Sequence, residues 1–274
     1  MTRIAVNGIE LNVEVAGVGR PLLLLHGFTG DAGSWSFLAG RDGLKTIAVD
    51  IIGHGRSDAP ADQERYRLEG ATRDIVSLLD ALDVGRAAVL GYSMGGRLAL
   101  QLALDAPDRV SALVLESASP GMEDAVERET RVDADNRLAE SIERDGLERF
   151  VDFWQSIPLF ASQASLAPHV LAEQRRRRLG HTPAGLANSL RGMGAGRQAY
   201  LMPRLRELDM PVLLIAGELD SKYAALAAEM QALIQEARAT IVPDAGHGVH
   251  LERPELFTEI VRDFLALRAE AKAQ

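Results

Sequence analysis

Six short apolar runs, separated by segments of helical pattern, constrain the fold of this chain more than any other feature. Continuous apolar runs of this length, without polar alternation, are typical of strands that are buried on both faces of a sheet. Their alternation with helices predicts right-handed crossovers and a mostly parallel sheet. The runs are PLLLLHG (21–27), LKTIAVDI (44–51), RAAVLGY (86–92), SALVLES (111–117), MPVLLIAG (210–217) and ARATIVPDA (237–245).

The N-terminal segment and one long gap complete the predicted architecture. TRIAVNG and IELNVEVAG read as an antiparallel pair with its turn at Asn7–Gly8, which brings the predicted sheet to eight strands. Between residues 118 and 209 no comparable apolar run occurs, and the pattern is that of charged helices. We therefore assign residues 1–120 and 206–274 to one α/β core and residues 121–205 to a helical cap.

Composition and charge exclude several classes of partner and site. The net charge of −9 repels nucleic acid and anionic membranes, so we expect neither as a partner, and the chain has no cysteine for disulfides, thiolate metal sites or a Cys nucleophile. No basic N-terminal segment precedes a long apolar one, and no apolar run approaches roughly 18 residues. We expect a cytoplasmic protein that is a monomer or a small homo-oligomer.

The segment GYSMG (91–95) matches the pattern G-x-S-x-G between a predicted strand and a predicted helix. A sharp strand-to-helix turn holds such a serine in a strained conformation, and glycines on either side leave room for the neighbouring chain. Ser93 then lies at a helix N-terminus, where the dipole favours developing negative charge. The alternative role is a simple helix cap, and we predict that Ser93 is a nucleophile.

A serine nucleophile needs a base and an acid, and this architecture places them in the order Ser, acid, His. Asp220 ends LLIAGELD, and His247 lies in VPDAGHGVHLERP, so both follow strands at their carboxyl ends. Asp220 could instead serve only as the N-cap of the next helix, and His250 is a neighbouring rival for the base. We prefer His247, because the turn directly after the strand can fold back over the end of the sheet.

The loop LHGFTG (25–30) is the candidate for the oxyanion hole, which requires backbone N–H donors. It follows the third strand and contains a His-Gly turn. We assign the N–H groups of Phe28 and Met94 as the two donors. His26 is expected to be a buried, hydrogen-bonded residue without a catalytic role.

These elements together resemble those of the α/β-hydrolase superfamily over nearly the full length of the chain. The pattern G-x-S-x-G, the His-Gly turn, GHGRS (53–57) and GELD followed by GH occur in the family's order. The resemblance implies an α/β-hydrolase fold with a mostly parallel eight-stranded sheet and a helical cap.

Arg97 interrupts the otherwise apolar helix GGRLALQLALDA four residues after Ser93, and so lies on the same helix face. Burial of an unpaired guanidinium is costly, so this side chain must meet an anion. One candidate is Glu116 of the neighbouring strand. The other is a substrate carboxylate, which a planar guanidinium binds with two donors.

Further motifs resemble those of the 2-succinyl-6-hydroxy-2,4-cyclohexadiene-1-carboxylate synthases of menaquinone biosynthesis. They include GYSMGGRLAL, FVDFWQSIPLF, GLANSLRGMGAGRQ and GELDSKY, which come from both the core and the cap. The resemblance implies a lyase that eliminates pyruvate from 2-succinyl-5-enolpyruvyl-6-hydroxy-3-cyclohexene-1-carboxylate, a small molecule with three carboxylates. It implies that the triad is Ser93, Asp220 and His247, and that the substrate contacts are Tyr92, Arg97, Arg128, Trp154, Lys222 and, from the arginine run at 175–178, Arg177.

The implied mechanism is proton abstraction without a metal or organic cofactor. Ser93, made basic by His247, removes the proton α to the succinyl ketone, and the enolate oxygen occupies the oxyanion hole. Two alternatives stay open. The same triad could serve a carboxylesterase or C–C bond hydrolase that acts on an acid-bearing substrate, or the scaffold could be that of a non-catalytic ligand receptor.

Overall fold

The computed structural model describes residues 2–270, and an eight-stranded sheet forms its centre. The strand order is β1-β2-β4-β3-β5-β6-β7-β8; β2 is antiparallel to β1 and β4, and the other neighbouring pairs are parallel. This confirms the predicted fold class. The strands are Thr2–Val6 (β1), Ile9–Ala16 (β2), Arg20–Leu25 (β3), Leu44–Val49 (β4), Ala87–Tyr92 (β5), Val110–Glu116 (β6), Val212–Gly217 (β7) and Ala237–Val242 (β8).

Helices follow most of the strands, as the alternation in the sequence predicts. Short 3₁₀ segments occupy Ala32–Leu38, Gln63–Tyr66, Pro107–Arg109, Pro158–Ser165 and Met202–Glu207. The α-helices are Leu68–Ala81 (α1), Met94–Asp105 (α2), Ala125–Ser156 (α3), Pro168–Leu179 (α4), Pro183–Met193 (α5), Ser221–Leu233 (α6), Val249–Glu252 (α7) and Pro254–Glu270 (α8). None of these helices has the length and apolarity that crossing a membrane requires.

Both faces of the sheet are covered, which explains why its strands read as continuous apolar runs. In β3, Leu23 and Leu25 point into a core that also contains side chains of α1, α2 and α6. Leu22 and Leu24 point the other way, into a second core with the 3₁₀ segment 32–38 and α8. Successive side chains of a strand alternate in direction, so a strand between two cores is apolar throughout.

The strand order opens a crevice at one place on the carboxyl edge of the sheet. From β3 the chain passes to β4 on one side, and from β5 it passes to β6 on the other side. Since β3 and β5 are neighbours, the loops that leave them diverge, and such a switch point is where open α/β sheets bind ligands. The oxyanion loop 26–30 and Ser93 follow these two strands.

Three helices, α3 to α5, lie between β6 and β7 and share a small apolar cluster of their own. Helix α3 is broken at Gly146, whose φ of 80° and ψ of 172° are not helical. All three helices fall within residues 121–205, the segment assigned to the cap, and the exact division into core and cap stays a prediction. The cluster consists of Ala139, Ile142, Phe150, Val151, Leu186, Ala187 and Leu190, with Phe28 and Trp154 packed against it.

The turn from β5 to α2 is closed so tightly that its two outer positions accept only glycine. A Cβ on Gly91 would lie 2.3 Å from the carbonyl oxygen of Gly95, and one on Gly95 would lie 2.2 Å from that of Leu25. Between them Ser93 has a φ of 51° and a ψ of −108°, a conformation that is strained for any residue with a side chain. The backbone therefore has the geometry that the G-x-S-x-G pattern predicts.

We expect the substitution Gly95→Ala to lower the free energy of unfolding by about 2–3 kcal/mol, because the new methyl group meets backbone that cannot move aside. The control is Gly85→Ala, where a Cβ meets nothing within 4 Å, and its effect should stay within about 0.5 kcal/mol. Urea unfolding followed by circular dichroism measures both. Equal effects for the two variants would show that the turn from β5 to α2 is not tightly packed.

Candidate active site

Ser93, His247 and Asp220 form a continuous hydrogen-bonded chain at the carboxyl edge of the sheet. Asp220 Oδ2 accepts a hydrogen bond of 2.6 Å from Nδ1 of His247. This bond fixes the proton on Nδ1 and leaves Nε2 as the acceptor that lies 3.0 Å from Ser93 Oγ. His247 is 1% exposed and Asp220 is 9% exposed, so both are shielded from water. The geometry is that of a nucleophile with an oriented general base.

The structure decides between the alternatives for the acid and the base. The Asp220 side chain makes no capping hydrogen bond to α6, so capping is not its role. His250 instead pairs with Glu116, whose two carboxylate oxygens each lie 2.9 Å from Nδ1 of His250. The rival histidine therefore does not reach Ser93.

The predicted oxyanion loop packs directly against the nucleophile. A Cβ on Gly27 would lie 3.5 Å from Cβ of Ser93. Met94 begins α2, so its N–H is one of those that a helix N-terminus leaves without an intrahelical acceptor. Within residues 2–270 no protein group accepts a hydrogen bond from the N–H of Phe28 or Met94. Both donors assigned from the sequence are thus available to an oxyanion.

Two buried histidines hold the oxyanion loop in place. Nδ1 of His26 donates to the carbonyl of Gly27 (2.8 Å), and Nε2 accepts the N–H of Ile51 (3.0 Å). Burial lowers the pKa of His26, so the neutral form that makes both bonds is favoured. This confirms the structural role predicted for His26. From the cap, His181 Nε2 donates to the carbonyl of Thr29 (2.9 Å) and fixes the other side of the loop.

Aromatic side chains pack against His247 and the oxyanion loop. The Tyr92 ring centroid lies 5.4 Å from that of His247, and burial raises the pKa of Tyr92 well above its usual value. The Trp154 ring of the cap lies 5.4 Å from Phe28 and 5.8 Å from Phe160. Its Nε1 is buried and has no hydrogen-bond partner among the described residues. Both aromatic residues predicted as substrate contacts therefore lie around the triad.

Arg97 lies one helical turn after Ser93 and has no ion-pair partner among the described residues. Glu116 is committed to His250, so the predicted alternative of an Arg97–Glu116 ion pair is wrong. Nη1 of Arg97 is buried without a hydrogen-bond partner. Burial lowers the pKa of the guanidinium to about 10, which still leaves it charged at neutral pH. A charged donor without a partner beside a nucleophile is suited to an anionic ligand.

Arg131, which the sequence analysis did not select, approaches this region from the cap. It forms a 2.9 Å ion pair with Asp135, and its charge affects the pKa of Arg97 and of Tyr223. Arg128, the predicted contact, donates to the carbonyls of Met122 and Glu123 at the start of its own helix. The two arginines lie three positions apart, and Arg131 is the more exposed of the two.

Two neighbouring arginines of the run in α4 also differ in their partners. The predicted contact Arg177 is paired with Asp31 and Glu173. Arg178 is buried, has no ion pair among the described residues, and lies over the Phe160 ring at 5.3 Å from its centroid. Both line a cavity of about 320 Å³ that borders Tyr92 and the oxyanion loop, whereas neither Ser93 nor His247 lines it. Of these two arginines, Arg178 is the one without an ion pair among the described residues.

Lys222 lies at the start of α6 and is exposed, two positions after Asp220. Its neighbour Tyr223 turns toward the triad instead, and its ring centroid lies 4.7 Å from that of His247. Burial raises the pKa of Tyr223, so its hydroxyl stays protonated as a hydrogen-bond donor. The sequence gives no local sign that this tyrosine belongs to the site.

Comparison with known proteins places this geometry in a family. A family model described as the alpha/beta hydrolase fold matches residues 20–254. The chain belongs to the α/β-hydrolase family. Its nucleophile turn, acid and histidine follow the family's order, which confirms the first resemblance inferred from the sequence.

Several relatives that the chain matches bear the name of one kind of synthase. A protein of Bacillus subtilis (strain 168) that bears the provisional name 2-succinyl-6-hydroxy-2,4-cyclohexadiene-1-carboxylate synthase is 46% identical, with 92% of each chain covered. A Serratia proteamaculans (strain 568) protein with the same synthase name is 30% identical over 90% of this chain and 93% of its own. The solved structure of MenH from S. aureus is 30% identical and superposes with a TM-score of 0.89, covering 94% of this chain and 98% of that one.

We expect Arg97→Met to raise the free energy of unfolding by about 1–3 kcal/mol, because it replaces a desolvated, unpaired charge by an apolar chain of similar length. The contrasting variant is Arg131→Met, which leaves the buried carboxylate of Asp135 without its cation and should destabilise the protein. Urea unfolding at pH 7 measures both. Destabilisation by Arg97→Met would show that the guanidinium is satisfied in the free protein.

Proposed function

We propose that this protein is a lyase that eliminates pyruvate from 2-succinyl-5-enolpyruvyl-6-hydroxy-3-cyclohexene-1-carboxylate to give 2-succinyl-6-hydroxy-2,4-cyclohexadiene-1-carboxylate, a step of menaquinone biosynthesis. The observation that carries the proposal is the unpaired guanidinium of Arg97 one turn from Ser93. An enzyme for neutral esters needs no buried cation there, whereas a substrate with three carboxylates does. The names of the relatives support the same reaction.

The triad acts as a base in this proposal. His247 takes the hydroxyl proton of Ser93, whose oxygen lies 3.0 Å from Nε2. Asp220 stabilises the imidazolium that forms, as its 2.6 Å bond to Nδ1 allows. The Ser93 oxygen then removes the ring proton α to the succinyl ketone. The N-terminus of α2 favours the negative oxygen before it takes that proton.

The electrons of the broken C–H bond move first onto the ketone oxygen. The N–H groups of Phe28 and Met94 stabilise the resulting enolate. The enolate collapses, a new ring double bond forms next to the ketone, and the existing ring double bond shifts. The C–O bond to the enolpyruvyl group breaks, and its oxygen leaves with the electron pair. That group gains a proton at its methylene carbon to become pyruvate, which balances the proton first removed, and no water is consumed.

Cations around the triad hold the carboxylates of the substrate. Arg97 from the core holds one of them, and Arg178 from the cap, which is buried and has no ion pair among the described residues, holds another. Contacts from Arg128, Arg177 and Lys222 stay predictions of the family resemblance. The ring of Tyr92 beside His247 and the unpartnered Nε1 of Trp154 orient the cyclohexene.

No proposed step uses a metal or an organic cofactor, and the substrate is a small polycarboxylate. The cytoplasmic location and the monomeric or small homo-oligomeric state stay predictions of the sequence analysis. A carboxylesterase or C–C bond hydrolase is the competing activity, because the same triad and oxyanion donors can stabilise a tetrahedral intermediate. That reaction consumes water and leaves an acyl group on Ser93, so product analysis separates the two.

The first test is a paired assay on the purified protein. We expect rapid release of pyruvate, with diene absorbance, from the enolpyruvyl cyclohexene precursor. Ser93→Ala should lower kcat by about a thousandfold or more, because the proton acceptor is removed. A p-nitrophenyl ester is assayed in parallel. Rapid ester cleavage with no pyruvate would make the protein a hydrolase and would refute the lyase assignment.

A second test addresses the role of Arg97. Arg97→Ala should reduce kcat/KM for the anionic precursor by about a hundredfold, because a buried charge-assisted contact of about 3 kcal/mol is lost. Cleavage of a neutral p-nitrophenyl ester should change much less. Arg73→Ala, at an exposed position of α1, is the matched control. Equal losses on both substrates would show that Arg97 does not bind a carboxylate.

A further inference from the structure

A buried carboxylate that the proposed mechanism does not use lies directly beneath the catalytic histidine. Glu252 ends α7 and is 8% exposed. Its Oε2 accepts the N–H of Gly246 at 2.8 Å, and its Oε1 accepts the N–H of Gly248 at 3.3 Å. These two residues flank His247. One carboxylate thus holds the backbone on both sides of the base.

The charge of Glu252 has no partner other than this backbone. None of the ion pairs in the described part of the chain includes the Glu252 carboxylate. A buried carboxylate is costly unless hydrogen bonds satisfy it, and N–H groups are the donors present here. The same interaction that stabilises the carboxylate therefore fixes the loop, and loss of either one leaves the other unsatisfied.

The opposite end of α7 is fixed in the same way to the nucleophile turn. The side chain of Glu116 accepts the N–H of His250 at 2.9 Å. The backbone carbonyl of Glu116 accepts the N–H of Ser93 at 2.8 Å. The four-residue helix thus connects Ser93, through Glu116 and His250, with the loop that Glu252 holds.

The cap limits the loop on its other side. A Cβ on Gly246 would lie 2.0 Å from Oγ of Ser162, and one on Gly248 would lie 3.2 Å from Nε2 of Gln163. The loop is thus enclosed between Glu252 and the 3₁₀ segment of the cap. A loop released by Glu252 cannot move toward the cap, so it must shift along the sheet edge and carry His247 with it.

We propose that Glu252 is a positioning residue that sets the distance between His247 Nε2 and Ser93 Oγ through the backbone of Gly246 and Gly248. The proposal rests on the triad of the proposed function but not on the substrate. Glutamine has one carbonyl oxygen and an amide nitrogen that can only donate. Glu252→Gln can therefore keep at most one of the two bonds, at nearly unchanged volume.

The test compares Glu252→Gln with Glu255→Gln, the same substitution at an exposed carboxylate three residues away. The first readout is the rate at which a fluorophosphonate probe labels Ser93, since labelling needs the serine and its base but not the natural substrate. The second is kcat and KM for pyruvate release. The third is the low-field proton signal of the His247–Asp220 hydrogen bond in NMR spectra. Urea unfolding gives the folded fraction of each variant.

We expect Glu252→Gln to lower the labelling rate and kcat by about tenfold or more, because small displacements of a base have large effects on proton transfer. KM should change less than twofold, and the low-field signal should broaden or shift. Glu255→Gln should match the unsubstituted protein. Labelling at the unsubstituted rate, or a loss that only follows the unfolded fraction, would overturn the proposal. Slowed labelling in a protein that releases no pyruvate would refute the substrate and keep the positioning role.

Discussion

The left-handed backbone of Ser93 is the constraint on which the rest of the site depends. A side chain at a φ of 51° is unfavourable by about 1–3 kcal/mol, and the surrounding structure must hold it there. The close approach of Gly91 to Gly95, and the bond from the Ser93 N–H to Glu116, hold it. The same turn starts α2, so it also fixes the N–H of Met94 and, one turn later, Arg97. A single strained turn thus places Ser93, the N–H of Met94 and the guanidinium of Arg97 close together.

The carboxylates around this turn have hydrogen-bond partners, whereas two of the arginines have no ion pair. This difference favours an anionic ligand. The buried carboxylates Asp220, Glu116 and Glu252 accept hydrogen bonds from histidines or backbone N–H groups. Arg97 and Arg178 have no ion pair among the described residues. Unpaired cations lower the stability of the free protein, and a bound anion recovers that loss. In a chain with a net charge of −9, these arginines therefore support the proposed binding of an anion.

Local signals in the sequence were sufficient to predict the fold and the residues of the Ser93–His247–Asp220 hydrogen-bonded chain. They were not sufficient to predict which way the arginines of the cap helices face. The strands, the G-x-S-x-G turn and the residues that follow β7 and β8 depend on patterns within a few positions. Arg128 and Arg131 fall on one helix within a single turn, and they differ in their partners: Arg128 donates to backbone carbonyls, and Arg131 pairs with Asp135. In the run at 175–178, Arg177 meets Asp31 from 146 positions away. His181 meets the backbone of Thr29 from 152 positions away. Glu252 binds backbone only six and four positions away, through contacts that no spacing rule reports.

In the proposed reaction, the core and the cap contribute different residues to the site. The core supplies the triad, both oxyanion donors and Arg97, which suffice for proton transfer next to one carboxylate. The cap adds Trp154 and Arg178 to the proposed site, and it is tied to the oxyanion loop through the bond from His181 to Thr29. In the proposed reaction this loop receives the enolate, so we expect packing of the cap to affect the chemical step as well as substrate binding. Exchange of the cap helices in this fold would therefore change the substrate and the shape of the oxyanion hole together.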